Sequence, residues 1–217
     1  IELNHLLGDK YMEDMKIGGV EPSVIVLGHF IGTKNPESLY LLVWLFFVEQ
    51  LNKVFFNAVK DVKKIVFADH HHLITTELQD YNDIILHNID HHHDIVYNDE
   101  QVVNIKENEI KSPHWVGNLL YQGRLKQYYW YKNVNSQFIR DGFFGEQLLL
   151  ENECLFNYYE NLNELDNIPF DMMFLCKSPF YTPGEFQLVY NIYTDYIKYH
   201  HSDKLKEVIT RTNVHNY

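Results

Sequence analysis

Along this chain, short β-branched apolar runs closed by polar residues or glycine alternate with longer amphipathic stretches. Ser23-Val24-Ile25-Val26-Leu27, ended by Gly28, reads as a first buried strand, and Lys64-Ile65-Val66-Phe67-Ala68 reads as a second. A third spans 83–89 around Ile84-Ile85-Leu86. Between the first two, the stretch from Glu37 to about Val62 predicts a long helix. Asn35-Pro36 is its start signal, and apolar residues on more than one face predict heavy burial. A short helix or loop is expected around 73–80. Further on, Ser112-Pro113 precedes a helix beginning near His114, and 127–131 reads as an aromatic strand. Phe170 to Leu175 forms the last strand, followed by a Pro183-Gly184 turn and a helix from about Glu185 to Tyr199. Strands alternating with helices predict an α/β fold with a mostly parallel sheet flanked by helices.

Length and composition narrow the class. No linker rich in Pro, Gly or Ser interrupts the 217 residues, so 1–217 reads as a single domain. A hydrophobic fraction of 46% marks a chain that folds rather than one that stays disordered. The net charge of −12 argues against a partner such as nucleic acid, whose binders cluster Lys and Arg. The longest apolar run, Leu39 to Val48, falls short of the roughly twenty residues that span a bilayer, so no membrane partner is expected. No basic segment with a cleavage site precedes it, so no signal peptide is read. Two cysteines, Cys154 and Cys176, fit neither a disulfide framework nor a zinc clip and suggest a reducing, cytoplasmic setting.

The chemistry is concentrated at two strand ends. The second strand runs into Asp69-His70-His71-His72, and the third into Asp90-His91-His92-His93-Asp94. Eight of thirteen histidines lie between His70 and His114, against expectation for histidines scattered over a solvated surface. If the chain stays extended past Ile89, Asp90, His92 and Asp94 share one face and can converge on an ion. Mixed imidazole and carboxylate ligation suits Mn²⁺, Fe²⁺ or Zn²⁺ better than Ca²⁺. The plain alternative is a set of polar residues capping the next helix. His70 is the candidate fourth ligand, in competition with its two histidine neighbours. His93 and His114 are candidate catalytic groups, and Trp115 a candidate substrate wall. The plain reading of His114-Trp115 is a helix start with a buried indole. Cys176, ending an apolar strand, is either a small core residue or a catalytic group, and Lys177 and Ser178 beyond it are candidate substrate contacts.

The two motifs together resemble the ureohydrolase superfamily of arginase, agmatinase and, more distantly, the histone deacetylases. Phe67-Ala68-Asp69-His70-His71 is similar to that family's Gly-Gly-Asp-His-Ser strand end, and Asp90-His91-His92-His93-Asp94 to its Asp-Ala-His-x-Asp motif. The order and the gap of about twenty residues also fit, and the closest likeness is to the divergent branch that includes the peptide arginases. The resemblance implies an arginase-like three-layer sandwich. It also implies a Mn²⁺ site, binuclear in the family, held by His70, Asp90, His92 and Asp94, in which activated water cleaves a guanidino or amide C–N bond of a small-molecule or peptide substrate. Zn²⁺ or Fe²⁺ fits the same donors, and self-association is left open. The family's third motif, Ser-x-Asp-x-Asp-x-x-Asp-Pro, has lost its aspartates here, where Met173-Phe174-Leu175-Cys176-Lys177-Ser178-Pro179 stands. Asp171 is nearby but at the start of its strand. Val96 replaces a substrate-binding asparagine, which speaks against free arginine as substrate. Two other readings are carried. One is a DHH phosphoesterase, on Asp90-His91-His92, although the rest of that family's motifs are absent. The other is a non-catalytic interaction protein with a degenerate metal site.

Overall fold

The computed structural model describes residues 22–27, 38–132, 136, 145–176 and 184–208. Its centre is a seven-stranded sheet of β1 (Ser23–Leu27), β2 (Lys64–Ala68), β3 (Ile84–Ile89), β4 (Leu125–Tyr131), β5 (Leu155–Tyr159), β6 (Met172–Cys176) and β7 (Leu205–Val208). Their order is β5-β4-β3-β1-β6-β2-β7, and every pairing is parallel. The helices are α1 (Ser38–Asp61), α2 (Leu73–Glu77), α3 (Asp99–Lys106), α4 (Trp115–Tyr121), α5 (Glu146–Glu151) and α6 (Gly184–His200).

A parallel sheet needs cover on both faces, and its strands then lose the apolar/polar alternation of a half-exposed sheet. The two faces are nonetheless separable residue by residue. Ile25, Leu27, Ile65 and Phe67 pack with α1 and α6 residues Leu51, Phe55, Val59, Tyr193 and Ile197. Their neighbours Val24, Val26, Val66 and Leu86 pack with Ile74, Ile105, Trp115, Leu119 and Leu148 from α2 to α5. The period of two along each strand therefore builds three layers, helix–sheet–helix, as the sequence pattern predicts.

Two features of this sheet position the site. Leu27 pairs with Ile89 and Leu175, and Ala68 with Cys176, so β1, β2, β3 and β6 finish level at one rim. Also, β2 and β3 are separated by β1 and β6, three strand spacings or about 14 Å. Whatever joins the loops after β2 and β3 must reach across the two central strands. Asp171 lies at the opposite rim, its carboxylate accepting from the Ser23 amide at 3.1 Å and pairing with Lys63 at 2.7 Å. It therefore stands at the far end of β6 from the histidine-rich loops.

The sequence pattern did not mark β5, β7, α3 or α5. Asn98 caps α3 by accepting from the Gln101 amide at 3.0 Å, a Ser/Thr/Asp/Asn-type signal visible in the sequence beside only weak periodicity. The expected strand at 127–131 begins two residues earlier, at Leu125, and its register against β3 shifts between Ile84 and Ile85.

Candidate metal centre

The loops after β2 and β3 meet above the central strands through three buried side chains, His71, Asp90 and Asp94. One donor atom from each lies within 4.8 Å of the others. His71 stands between the carboxylates, its Nε2 3.5 Å from Asp90 Oδ2 and its Nδ1 3.6 Å from Asp94 Oδ2. Their relative exposures are 6%, 1% and 4%, so these charges are nearly cut off from water.

Local backbone geometry selects His71 in place of His70. Directly after β2 the chain enters a helical turn, with Leu73, Ile74 and Thr75 amides donating to the carbonyls of His70, His71 and His72. Under that period His71 shares a face with Ile74, Thr75 and Leu78, all buried, whereas His70 and His72 stack on each other at 5.6 Å on the half-exposed side. The spacing His71-x-x-Ile74-Thr75-x-x-Leu78 is the sequence signal that could have found it.

The same correction applies to His92. β3 ends at Ile89, and Asp94 adopts φ +50, so residues 90–94 curl instead of continuing extended and the alternation that grouped Asp90, His92 and Asp94 does not hold. The turn brings Asp90 and Asp94 together and leaves His92 exposed, outside the group. A left-handed conformation at a non-glycine residue is uncommon, and Asp tolerates it better than most.

The curl is held by many bonds. The Asp90 carbonyl accepts from Trp130 Nε1 at 2.9 Å, and the His93 carbonyl from the Tyr128 hydroxyl at 2.8 Å. Asn88 Nδ2 in turn donates to Tyr128 at 3.2 Å. The Asp94 amide donates to Tyr97 Oη at 3.1 Å, and the Ile95 amide to His93 Nδ1 at 3.1 Å. The Asp94 carbonyl accepts from the Val116 and Gly117 amides, satisfying two of the N–H groups that the first turn of α4 leaves over. Gly117 is what permits this docking, since a Cβ there would stand 2.2 Å from the Ile95 carbonyl oxygen.

Each carboxylate is also oriented. The His91 amide donates to Asp90 Oδ1 at 2.6 Å, leaving Oδ2 toward His71. Trp115 Nε1 donates to Asp94 Oδ2 at 2.8 Å. Burial pushes the Asp94 carboxyl up to about 7, with the Trp115 bond pulling the other way.

The remaining candidates take different places. Trp115 is fully buried and its N–H is spent on Asp94, so it supports a carboxylate and does not form an exposed substrate wall. His114 is also fully buried and turned away, its Nε2 3.1 Å from the Glu109 carbonyl, which ties the α3–α4 loop to α4. His93 lies between the Tyr97 ring, stacked at 4.3 Å, and the edge of Trp130. Burial lowers its pKa to about 3, and its Nδ1 is occupied, so it is a neutral loop anchor. Cys176 is buried at the end of β6, on the same rim but outside the group. Val96 belongs to the core beneath α4. Lys177 and Ser178 lie outside the described residues.

The donor set fits a divalent cation. One donor atom from each of the three side chains lies within 4.8 Å of the others, close enough for a single ion to draw them in. One imidazole with two carboxylates suits Mn²⁺, Fe²⁺ or Zn²⁺. The Trp115 and His91 bonds are the outer contacts that hold such ligands in orientation. Comparison with protein-family models, with curated proteins and with solved structures returns no match.

Proposed function

We propose that this protein is a divalent-metal-dependent hydrolase of C–N bonds, acting on a guanidino or amide group of a small molecule or peptide. The observation that carries the reading is the buried His71–Asp90–Asp94 group, set at the carboxyl ends of parallel strands where open α/β sheets place their ligands. His71, Asp90 and Asp94 hold the ion, which the resemblance to the ureohydrolases makes Mn²⁺, with Zn²⁺ or Fe²⁺ compatible with the same donors. A bound divalent cation supplies a water of lowered pKa and polarises the oxygen or nitrogen it touches.

The chain's own contribution is positional. Trp115 and the His91 amide fix which oxygens of Asp94 and Asp90 face inward. The layer of Trp115, Ile95 and Val96 below excludes water from the underside. Asp94, held near neutrality by burial, gives up its proton when a cation arrives, so binding and deprotonation are coupled. Two buried free cysteines are consistent with a reducing cytoplasmic setting, and no helix among the described residues is long and apolar enough to cross a membrane.

The test is elemental analysis of protein purified without chelators, for the native chain and for His71→Ala, His70→Ala and Asp90→Ala. Retention of metal by the native chain and His70→Ala, with loss in the other two, supports the site. Metal-dependent release of urea or amine from guanidino or amide substrates then supports the hydrolase. Release of phosphate instead would favour the phosphoesterase reading, and bound metal with no turnover would leave a metal-stabilised interaction protein.

A further inference from the structure

One residue past Asp90, on the β3–β4 side of the rim, a histidine meets a serine that neither the hydrophobic core nor the ion requires. Ser136 Oγ lies 3.1 Å from His91 Nδ1. The serine is 7% exposed, and the histidine is half-buried. Both follow the carboxyl ends of adjacent parallel strands, since Ile89 of β3 pairs with Tyr131 of β4. That end of an open α/β sheet is where ligands bind.

The contact is not needed to hold the strand ends together. The Asp90 amide already donates to the Tyr131 carbonyl at 3.3 Å, Trp130 Nε1 to the Asp90 carbonyl at 2.9 Å, and the Lys132 amide to the Tyr159 carbonyl at 2.8 Å. The histidine is also fixed without the serine's help. Its amide donates to Asp90 Oδ1 at 2.6 Å, and its ring meets the His92 ring edge-on at 4.7 Å. A hydroxyl within hydrogen-bond reach of an imidazole that is itself held in place is the arrangement that makes serine a nucleophile. Such pairs are recognised by geometry and not by sequence position. Asn135-Ser136-Gln137 lacks the flanking glycines of a nucleophile elbow, so pattern reading had nothing to mark here.

We propose that Ser136 and His91 form a nucleophile–base pair, a second reactive site that takes the acyl group of carboxylic esters. The serine Oγ bonds to the ester carbonyl carbon as its proton passes to His91 Nδ1. The C–O bond to the alcohol then breaks, and the alcohol leaves with that proton. Water attacks the acyl carbon next and gives a proton to Nδ1; the Oγ–C bond breaks, the serine recovers the proton, and the acid departs. The ion takes no part in these steps, so the site stands apart from the metal-hydrolase reading above. A fluorophosphonate is the probe, because it stops at the first step, releasing fluoride and leaving a stable phosphonyl group on the serine. The measurement is intact mass with peptide mapping, over time, for the native chain, Ser136→Ala and His91→Asn. Asn sets an amide nitrogen near the place of Nδ1, so His91→Asn keeps a hydrogen-bond partner for the serine but supplies no base.

Native protein should take up one phosphonyl group, on Ser136, and Ser136→Ala should take up none. His91→Asn should react about 100-fold or more slowly, the size of a lost general base. No adduct on Ser136 of the native chain, or an adduct that forms as fast in His91→Asn, would overturn the inference, because a bond that only ties two loops predicts one or the other. Should His91→Asn fail to fold, the native chain in urea decides. Unfolding separates the serine from its base, so labelling of Ser136 should stop there, and labelling that continues would overturn the inference as well.

Discussion

At the scale of single residues, the site is defined by what surrounds two aspartates more than by the aspartates themselves. Asp94 carries a carboxyl raised by burial above its value in the unfolded chain, so between about pH 4 and pH 7 the folded, metal-free protein binds the extra proton. Asp94's own contribution to the stability of metal-free protein therefore falls as pH rises through that window and levels off above it, while buried His87 and His93, whose pKa values burial lowers to about 3, contribute in the opposite sense. In the same window metal affinity should rise with pH, as proton competition is relieved. Denaturant melts of the native chain against Asp94→Asn from pH 4.5 to 8 isolate the Asp94 slope, metal titrations give the other, and a native-minus-variant stability that does not fall with pH would contradict the assignment. Trp115→Phe keeps an aromatic side chain but removes the donor to Asp94 Oδ2 and leaves a cavity at a fully buried position, and is expected to weaken metal binding by about 10- to 100-fold together with a loss of stability. Circular dichroism alongside a competition titration separates the two effects.

At the scale of elements, the candidate site was legible in kind and shifted in detail. A buried run followed by Asp and His is recognisable without a structure, and it led to the two loops and to Asp90 and Asp94, which the structure groups with His71. The errors share one cause, the assumption that backbone geometry continues past a strand's last residue. After Ala68 the chain coils into a helical turn, which turns His71 inward, and after Ile89 it curls, which turns His92 outward. Neither change is encoded in the histidines. Their cause lies downstream, in the Ile74–Leu78 face of α2 and in α4 docking on the Asp94 carbonyl. Gly117 is the element-level check on this account. Gly117→Ala forces a methyl against the Ile95 carbonyl oxygen and should destabilise the protein by about 1–3 kcal/mol, read from urea unfolding. Because α4 brings Trp115 with it, the same variant should also bind metal more weakly.

At the scale of the whole molecule, the sequence made the layered α/β architecture readable through strands buried on both faces, but it carried no information on strand order. β5 and β7 went unmarked for different reasons. Leu155–Tyr159 is half-buried throughout and rich in tyrosine, and Leu205–Val208 is a four-residue edge strand with two charges. That edge is fastened by Glu77 of α2, whose buried carboxylate pairs with Lys64 of β2 and Lys206 of β7 at 2.9 and 2.7 Å. Burial acts to raise its pKa, and the two lysines together outweigh burial and lower it. The depressed pKa means that this contribution is present above the usual carboxyl range and is lost on acidification below it. Glu77→Gln should cost about 1–3 kcal/mol at pH 7 and less as pH falls through 4, measured as the gap between native and variant unfolding curves.

The sheet order has one further consequence. The strands carrying His71 and the two aspartates are not neighbours, and the strand that fills much of the gap, β6, is contributed by residues 172–176, some eighty positions after Asp94. An emerging or truncated chain that ends before β6 has every proposed ligand and no means of holding them at their distance. The grouping of the three side chains is thereby tied to completion of the central sheet, and a chain cut short at about residue 160 should leave cations in solution even though its histidine-rich loops are intact.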